Sequence, residues 1–418
     1  MSAMRTLHDA PWLTSGPASR VLALLNADGE EARVIGGAVR NALLNMSLGD
    51  IDIATTALPE EVVRRAKAAR IKCVPTGLEH GTVTLVVDGM PFEVTTLRED
   101  VETFGRKAKV AFGRDWQRDA ERRDFTINGL SVSSDGVVHD HVGGLDDIEH
   151  RRVRFIGDPD RRIAEDFLRI LRFFRIHAAY GAGAPDRDGY LACIRGRAGI
   201  AGLSAERIRM ELLKLLVAPG AYAAIEAMAG AGVLLQLFGG VTYPGTLAAM
   251  IAAEAKLGRP PNAILRLGAL GVAVTEDARR LANRLRLSNA EFKALDSMGH
   301  RWWRLKGMDD LTARRRLYRL GEARYRDRLM LAWARDGRGA DDAAWQALVT
   351  LPERWKAPAF PLKAADFIAR GVAPGPALGH VIALAEDVWL AQDFPLEIDV
   401  LTVIADQTVA RFARDHRL

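Results

Sequence analysis

Apolar positions change their rhythm partway along the chain. Up to about residue 155 they fall in short alternating or fully apolar runs: "ARVIGG" from Ala32, "GDIDIAT" from Gly49, "TVTLVVDGMPFEVTTL" from Thr82 and "LSVSSDGVVHDHVGG" from Leu130. Runs of this kind predict strands. In the third, Asp88-Gly89 separates two alternating halves, the signature of a tight hairpin. The stretch from Pro59 to Ala69 has helical spacing, with Thr56 a few residues before it as a candidate cap. Beyond residue 155 the period becomes helical, in "RRIAEDFLRILRFFRIHAAY", "LSAERIRMELLKLLV", "AAIEAMAGAGVLLQLF" and onward to "FPLEIDVLTVIADQTVARFARDH". Gly- and Pro-bearing breaks near 181–189, 217–220, 239–245, 257–261 and 371–376 separate these helices. The pattern predicts an α+β chain: a head with a small mixed sheet, then an extended all-α remainder.

Two aspartates give the head its chemical interest. Asp50 and Asp52 are two apart, so on a strand both carboxylates face one side while Ile51 and Ile53 face the core. Adjacent carboxylates repel unless a cation joins them. A hard divalent ion, Mg²⁺, suits oxygen ligands, and paired ions suit in-line phosphoryl transfer. Alone, the same pattern is also that of a solvated strand end. Gly36 and Gly37 lie just upstream, where bare backbone can approach an anion, and Arg40 follows one helical turn later. The spacing is neither GxGxxG nor a Walker loop. Glu93, on the return strand of the hairpin, becomes a third metal ligand if that strand lies beside Asp52; otherwise it is an exposed acid.

A second cluster lies in "EDFLRILRFFR". On one continuous helix, Asp166, Arg169, Arg172 and Arg175 form a drifting polar stripe across an otherwise apolar surface. The stripe is either a solvated salt-bridge face or a strip whose surplus of arginines faces an anion or a base edge. Arginine donates and aspartate accepts. The pair Arg169/Asp166 therefore complements cytosine, which offers ring acceptors beside an amino donor, and adenine after a small shift. Uracil and guanine invert that order and leave polar groups unpaired. Between the clusters, Arg122, Arg123 and Asp124 either position a nucleotide or cap a helix.

The chain has 418 residues, 49% of them apolar and 27% charged, with a formal charge of +5. That is enough for two to four compact units and permits, without requiring, a polyanionic partner. Cys73 and Cys193 are isolated, which excludes a disulfide framework or a zinc motif and points to a reducing, cytoplasmic setting. No run has the length of a membrane span and "MSAMRTLHDAPWLTSG" has no signal-peptide core, so a soluble protein is expected.

Six stretches, in order, resemble the class II CCA-adding tRNA nucleotidyltransferases, within the larger family that includes bacterial poly(A) polymerases. They are "GGAVRNALL…GDIDIATT", "GTVTLV…FEVTTLR", "DWQRDAERRDFTIN", "HDHVGGLDDI", "VRFIGDP…RIAEDFLRILRFFR" and "LSAERIRMELLKLL", and "DFIARGVAPGPALGHVIALAEDVW" is similar to the family's tail. The resemblance implies a polymerase-β-like head over 1–150, a nucleotide-selecting neck over 151–216, a body over 217–345 and a tRNA-contacting tail over 346–418. It implies metal binding by Asp50, Asp52 and Glu93, with Mg²⁺ as the cofactor. It also implies nucleotide binding by Gly36, Gly37, Arg40, Arg123, Asp124, Asp166, Arg169, Arg172 and Arg175. "REDVETFGRKAKVAF" resembles the loop tied to switching from C to A addition. The implied partners are the tRNA acceptor end, CTP and ATP, with no membrane and no obligate protein partner. Asn41 departs from the family's usual aspartate. The isolated "HDH" at 139–141 does not make a phosphohydrolase site. A poly(A) polymerase, or a CC-only or A-only enzyme, fits the same scaffold; a catalytically silent RNA-binding protein is the alternative from another class.

Overall fold

The computed structural model describes residues 6–78, 81–104 and 107–415. The chain forms two compact units, Met1–Pro244 with Arg280–Leu287, and Gly245–Arg279 with Ser288–Leu418.

The first unit opens with the expected sheet. Strands β1 (Ala32–Ile35), β2 (Asp52–Thr55), β3 (Lys72–Gly77), β4 (Thr82–Val87), β5 (Met90–Thr96), β8 (Ser131–Val132) and β9 (Val138–His139) are ordered β3-β4-β5-β2-β1-β8-β9. Only β2 and β5 pair in parallel; the other neighbours are antiparallel. The β4–β5 hairpin turns at Asp88 and Gly89, whose φ values of 52° and 78° are those of a type I′ turn. Val34, Ile53, Val83 and Leu85 are fully buried, as the alternation predicts. Helices α1 (Pro17–Leu25) and α3 (Pro59–Ala68) pack against this sheet, while α2 (Gly37–Leu43) follows β1 directly.

Thr56 is not the cap of α3. Leu58 holds that position, without a side-chain bond, because Pro59 at the first turn has no N–H to satisfy. The Thr56 hydroxyl instead accepts the Glu31 N–H at 2.8 Å. The loop-like segment from Arg98 forms its own ladder, β6 (Arg98–Phe104) with β7 (Lys107–Phe112). Its tip at 105–106 lies outside the described residues.

After the sheet come α4 (Trp116–Glu121), α5 (Pro159–Glu165), α6 (Leu168–Tyr180) and α7 (Ala205–Leu216). Glu165–Arg175 is not the single helix the apolar spacing predicts. Asp166 has an extended backbone, φ −157° and ψ 107°, and ends α5. Its Oδ1 accepts the Leu168 N–H at 3.1 Å at the start of α6, a local side-chain bond that competes with helix continuation. The bend is packed in place: a Cβ on Gly199 would sit 2.2 Å from the Phe167 ring.

The second unit is helical throughout its described residues. It includes α8 (Ala263–Gly271), α9 (Asn289–Gly299), α10 (Asp310–Leu320), α11 (Glu322–Asp336), α12 (Pro376–Ala391) and α13 (Ile398–Asp415). Trp389, Phe367, Val381 and Ile404 form a fully buried cluster where α12 meets α13. No helix among the described residues is long and apolar enough to cross a membrane.

Candidate nucleotide-transfer site

A cleft of about 750 Å³ in the first unit gathers most of the residues singled out above: Gly36, Gly37, Arg40, Asp50, Asp52, Arg123, Asp124, Asp166, Arg169, Arg172 and Arg175. Residues 36–52 and 166–175, more than a hundred positions apart, thus line one space. Eight cationic and four acidic side chains border it, a balance that favours a polyanion.

β2 begins at Asp52, so Asp50 lies just ahead of the ladder. The alternation still holds: Ile51 and Ile53 are buried, and Asp50 and Asp52 are exposed to the cleft. The parallel ladder puts Glu93 in register with Asp52, so the two carboxylates sit side by side on neighbouring strands about 4.8 Å apart. Desolvation within the cleft, with the charges of Glu93 and Asp50, pushes the Asp52 carboxyl up to about 6; Arg123 pulls it back. This is an oxygen donor set with unneutralised negative charge, and it fits a divalent ion. Among the described residues no three His, Cys, Asp or Glu side chains form a ready-made cage. A divalent ion held there would need further ligands from water or phosphate oxygens.

Gly36 joins β1 to α2 with φ 67° and ψ −121°, a conformation that only glycine adopts readily. Arg40, buried beneath it, stacks on the Tyr180 ring at 3.7 Å and donates to the Tyr180 hydroxyl at 2.7 Å. It also donates to Asn128 and, at 2.9 Å, to the Asn41 carbonyl oxygen. Burial lowers its pKa. The Asn41 amide nitrogen donates to the Ser47 carbonyl at 2.9 Å, a bond that aspartate cannot make.

Arg122 and Arg123 follow α4 and both pair with buried Asp119, at 2.6 and 3.0 Å. Asp124 is buried and accepts from Arg172 at 2.7 Å, Asn128 at 3.1 Å and the Phe125 N–H at 2.9 Å. Burial alone would raise its pKa, but Arg172 and these hydrogen bonds outweigh burial and hold it down.

The arginine stripe has protein partners, of which only Glu165 lies within the same sequence stretch. Arg169 donates to Glu165 and, at 2.7 Å, to the Arg162 carbonyl. Arg172 takes Asp124 and Arg175 takes Glu211. Asp166 pairs with Arg207 of α7 at 2.6 Å. The cation surplus seen within one helix is therefore largely met by acids from other elements. Sequence reasoning missed Asn128, Tyr180, Arg207 and Lys214, which also line the cleft. Asn128 lies four residues after Asp124, and Arg207 and Lys214 lie within "LSAERIRMELLKLL"; neither stretch announced which polar residues turn inward.

A mixed sheet presenting acids beside a cationic cleft, closed by a helical segment with an Asp/Arg edge, defines a nucleotidyltransferase. Residues 32–154 match the poly A polymerase head domain family, and residues 192–248 match the family described as the probable RNA and SrmB-binding site of polymerase A. The chain is 33% identical to the mitochondrial CCA tRNA nucleotidyltransferase 1 of Danio rerio, over 90% of this chain and 88% of that protein. It is 32% identical to the CCA-adding enzyme of Limosilactobacillus fermentum, over 88% and 90%. The crystal structure of the Bacillus stearothermophilus CCA-adding enzyme in complex with CTP superposes with a TM-score of 0.74 at 25% identity, covering 97% of this chain and 99% of that one. The chain belongs to the CCA tRNA nucleotidyltransferase family, an enzyme family that generally uses divalent metals.

Proposed function

We propose that this chain adds CCA to the 3′ end of tRNA from CTP and ATP, selecting each nucleotide without a nucleic-acid template. One observation carries the reading: Asp166 and Arg169 border the same cleft as Asp50 and Asp52. The residues we assign to reading the base and to holding metal thus border a single nucleotide-sized space. The similarity to enzymes named for CCA addition supports it. We assign the head to 1–150, the neck to 151–216, the body to 217–345 and the tail to 346–418.

In this reading the incoming triphosphate lies over Gly36 and Gly37 with its phosphates toward Arg40 and Arg123. The base turns toward Asp166 and Arg169, which keep their bonds to Arg207 and Glu165 and meet cytosine or adenine with their remaining acceptors and donors. Arg172 and Arg175, anchored by Asp124 and Glu211, keep that edge in place. The tRNA 3′ hydroxyl attacks the α-phosphate: a 3′-oxygen–phosphorus bond forms as the bond to the leaving pyrophosphate breaks. Mg²⁺ held by Asp50, Asp52 and Glu93 would supply charge neutralisation on the triphosphate and a lowered pKa at the attacking hydroxyl. Two free cysteines, with Cys193 buried, support a reducing compartment, which we take to be the cytoplasm.

The test is extension of a tRNA transcript that ends before CCA, with CTP and ATP together. Growth by three residues and then arrest supports the proposal; a long adenosine tract supports a poly(A) polymerase, and arrest after CC supports a partial enzyme.

A further inference from the structure

The segment "HRWWRLK", His300 to Lys306, has aromatic and basic residues interleaved and no acid. Of the chain's eight tryptophans only Trp303 is exposed, at 52%. A lone exposed apolar residue is ordinary; this one is held out by a built turn. Arg301 adopts a left-handed backbone, φ 51° and ψ 39°, and starts a short 3₁₀ turn. Trp302 folds inward and donates from Nε1 to the Ala273 carbonyl at 3.0 Å. Arg335 of α11 lies 5.2 Å over the Trp302 ring and donates to the Val272 carbonyl at 2.5 Å. Arg328 donates to the His300 carbonyl, and Leu305 is buried behind the turn. The Trp303 ring stands at 85° to Trp302, with centroids 5.9 Å apart.

The turn therefore spends several buried interactions on presenting one indole face to solvent. Arg301 and Arg304 flank it, both exposed and without an ion pair among the described residues. An aromatic face between cations is the recognition chemistry of unpaired nucleotides: the base stacks and the guanidinium groups take its phosphates. We propose that Trp303 is a stacking platform for an unpaired base of the RNA substrate, with Arg301 and Arg304 on the adjoining backbone. The inference rests on the proposed function for the identity of that RNA as tRNA.

The test is equilibrium binding of a tRNA transcript lacking CCA to the full chain and its variants. Trp303→Ala raises Kd about tenfold, within the range expected for loss of one base–aromatic stack. Trp303→Phe stays within about twofold of wild type. Arg301→Ala/Arg304→Ala flattens the dependence of log K on log salt by about two phosphate contacts. If wild type extends tRNA and Trp303→Ala binds it as tightly, this inference alone is overturned. A changed sedimentation coefficient with unchanged Kd also overturns it, in favour of a protein contact. If wild type does not extend tRNA, the proposed function falls and the assignment to tRNA falls with it.

Discussion

Asp166 pairs with Arg207 at 2.6 Å while Arg169, three residues along, bonds Glu165. The two members of the candidate base-reading edge are thus each held by a different partner, and not by one another. Side chains fixed in this way are positioned before a nucleotide arrives, which limits the reorganisation that binding demands.

Arg207 is accordingly a positioning residue. Arg207→Met frees the Asp166 carboxylate and is expected to reduce the CTP-over-UTP ratio of kcat/KM about tenfold, roughly 1.4 kcal/mol of discrimination. Arg207→Lys, which keeps a charge, recovers part of it. Single-nucleotide incorporation kinetics check this; an unchanged ratio in Arg207→Met contradicts it.

On the proposed metal assignment, protons and divalent ions compete at Asp52. Its folded-state carboxyl sits at about 6 against an ordinary 3.8, so the folded state binds the proton more tightly. Without metal, the associated stability is present below about pH 3.8 and is lost as pH rises through about 6. Mg²⁺ takes the deprotonated form, so its affinity should climb across that window and level off above it. Calorimetric titration of Mg²⁺ at several pH values checks this. Asp52→Asn should flatten the profile and abolish incorporation, leaving the circular dichroism spectrum unchanged.

Asn41 has two tasks, accepting from Arg40 and tethering the Ser47 carbonyl. Asn41→Asp keeps the first and loses the second. It should hold activity within about threefold, with faster amide exchange around Met46. Asn41→Ala loses both and should raise the KM for CTP about tenfold, as Arg40 loses a fixed acceptor. Hydrogen exchange and initial-rate kinetics separate the two variants.

Asp327 on α11, in the second unit, is another acid shifted by burial. Burial pushes its carboxyl up to about 6, with Arg326 and Arg259 pulling it back. The stability it contributes is present below its unfolded value of 3.8 and is lost as pH rises through about 6. Asp327→Asn should raise the Tm at neutral pH by about 2–4 °C per kcal/mol relieved, and the gain should vanish near pH 4. A pH-independent difference in Tm contradicts this.

Much of the fold was legible because strand and helix periods differ so clearly either side of residue 155. The Asp50/Asp52 alternation and the Asp88-Gly89 turn were local signals and could be read as such. Glu93 required knowing which strand lies beside β2, and a parallel pairing is set by tertiary packing. The break at Asp166 was hidden because apolar spacing runs through it, while one carboxylate-to-backbone bond and the approach of Phe167 to Gly199 decide the backbone. Two partners of the arginine stripe were hidden for a related reason: Asp124 and Glu211, which meet Arg172 and Arg175, come from elsewhere in the chain.

The central claim is that the protein itself reads the incoming base through Asp166 and Arg169. The most direct measurement is the ratio of kcat/KM for CTP over UTP on a tRNA lacking CCA, in wild type and Asp166→Ala. The account predicts strong preference for CTP in wild type and a loss of about tenfold to a hundredfold of that preference in the variant, with Asp50 and Asp52 still supporting incorporation. An Asp166→Ala enzyme that discriminates as well as wild type would contradict it.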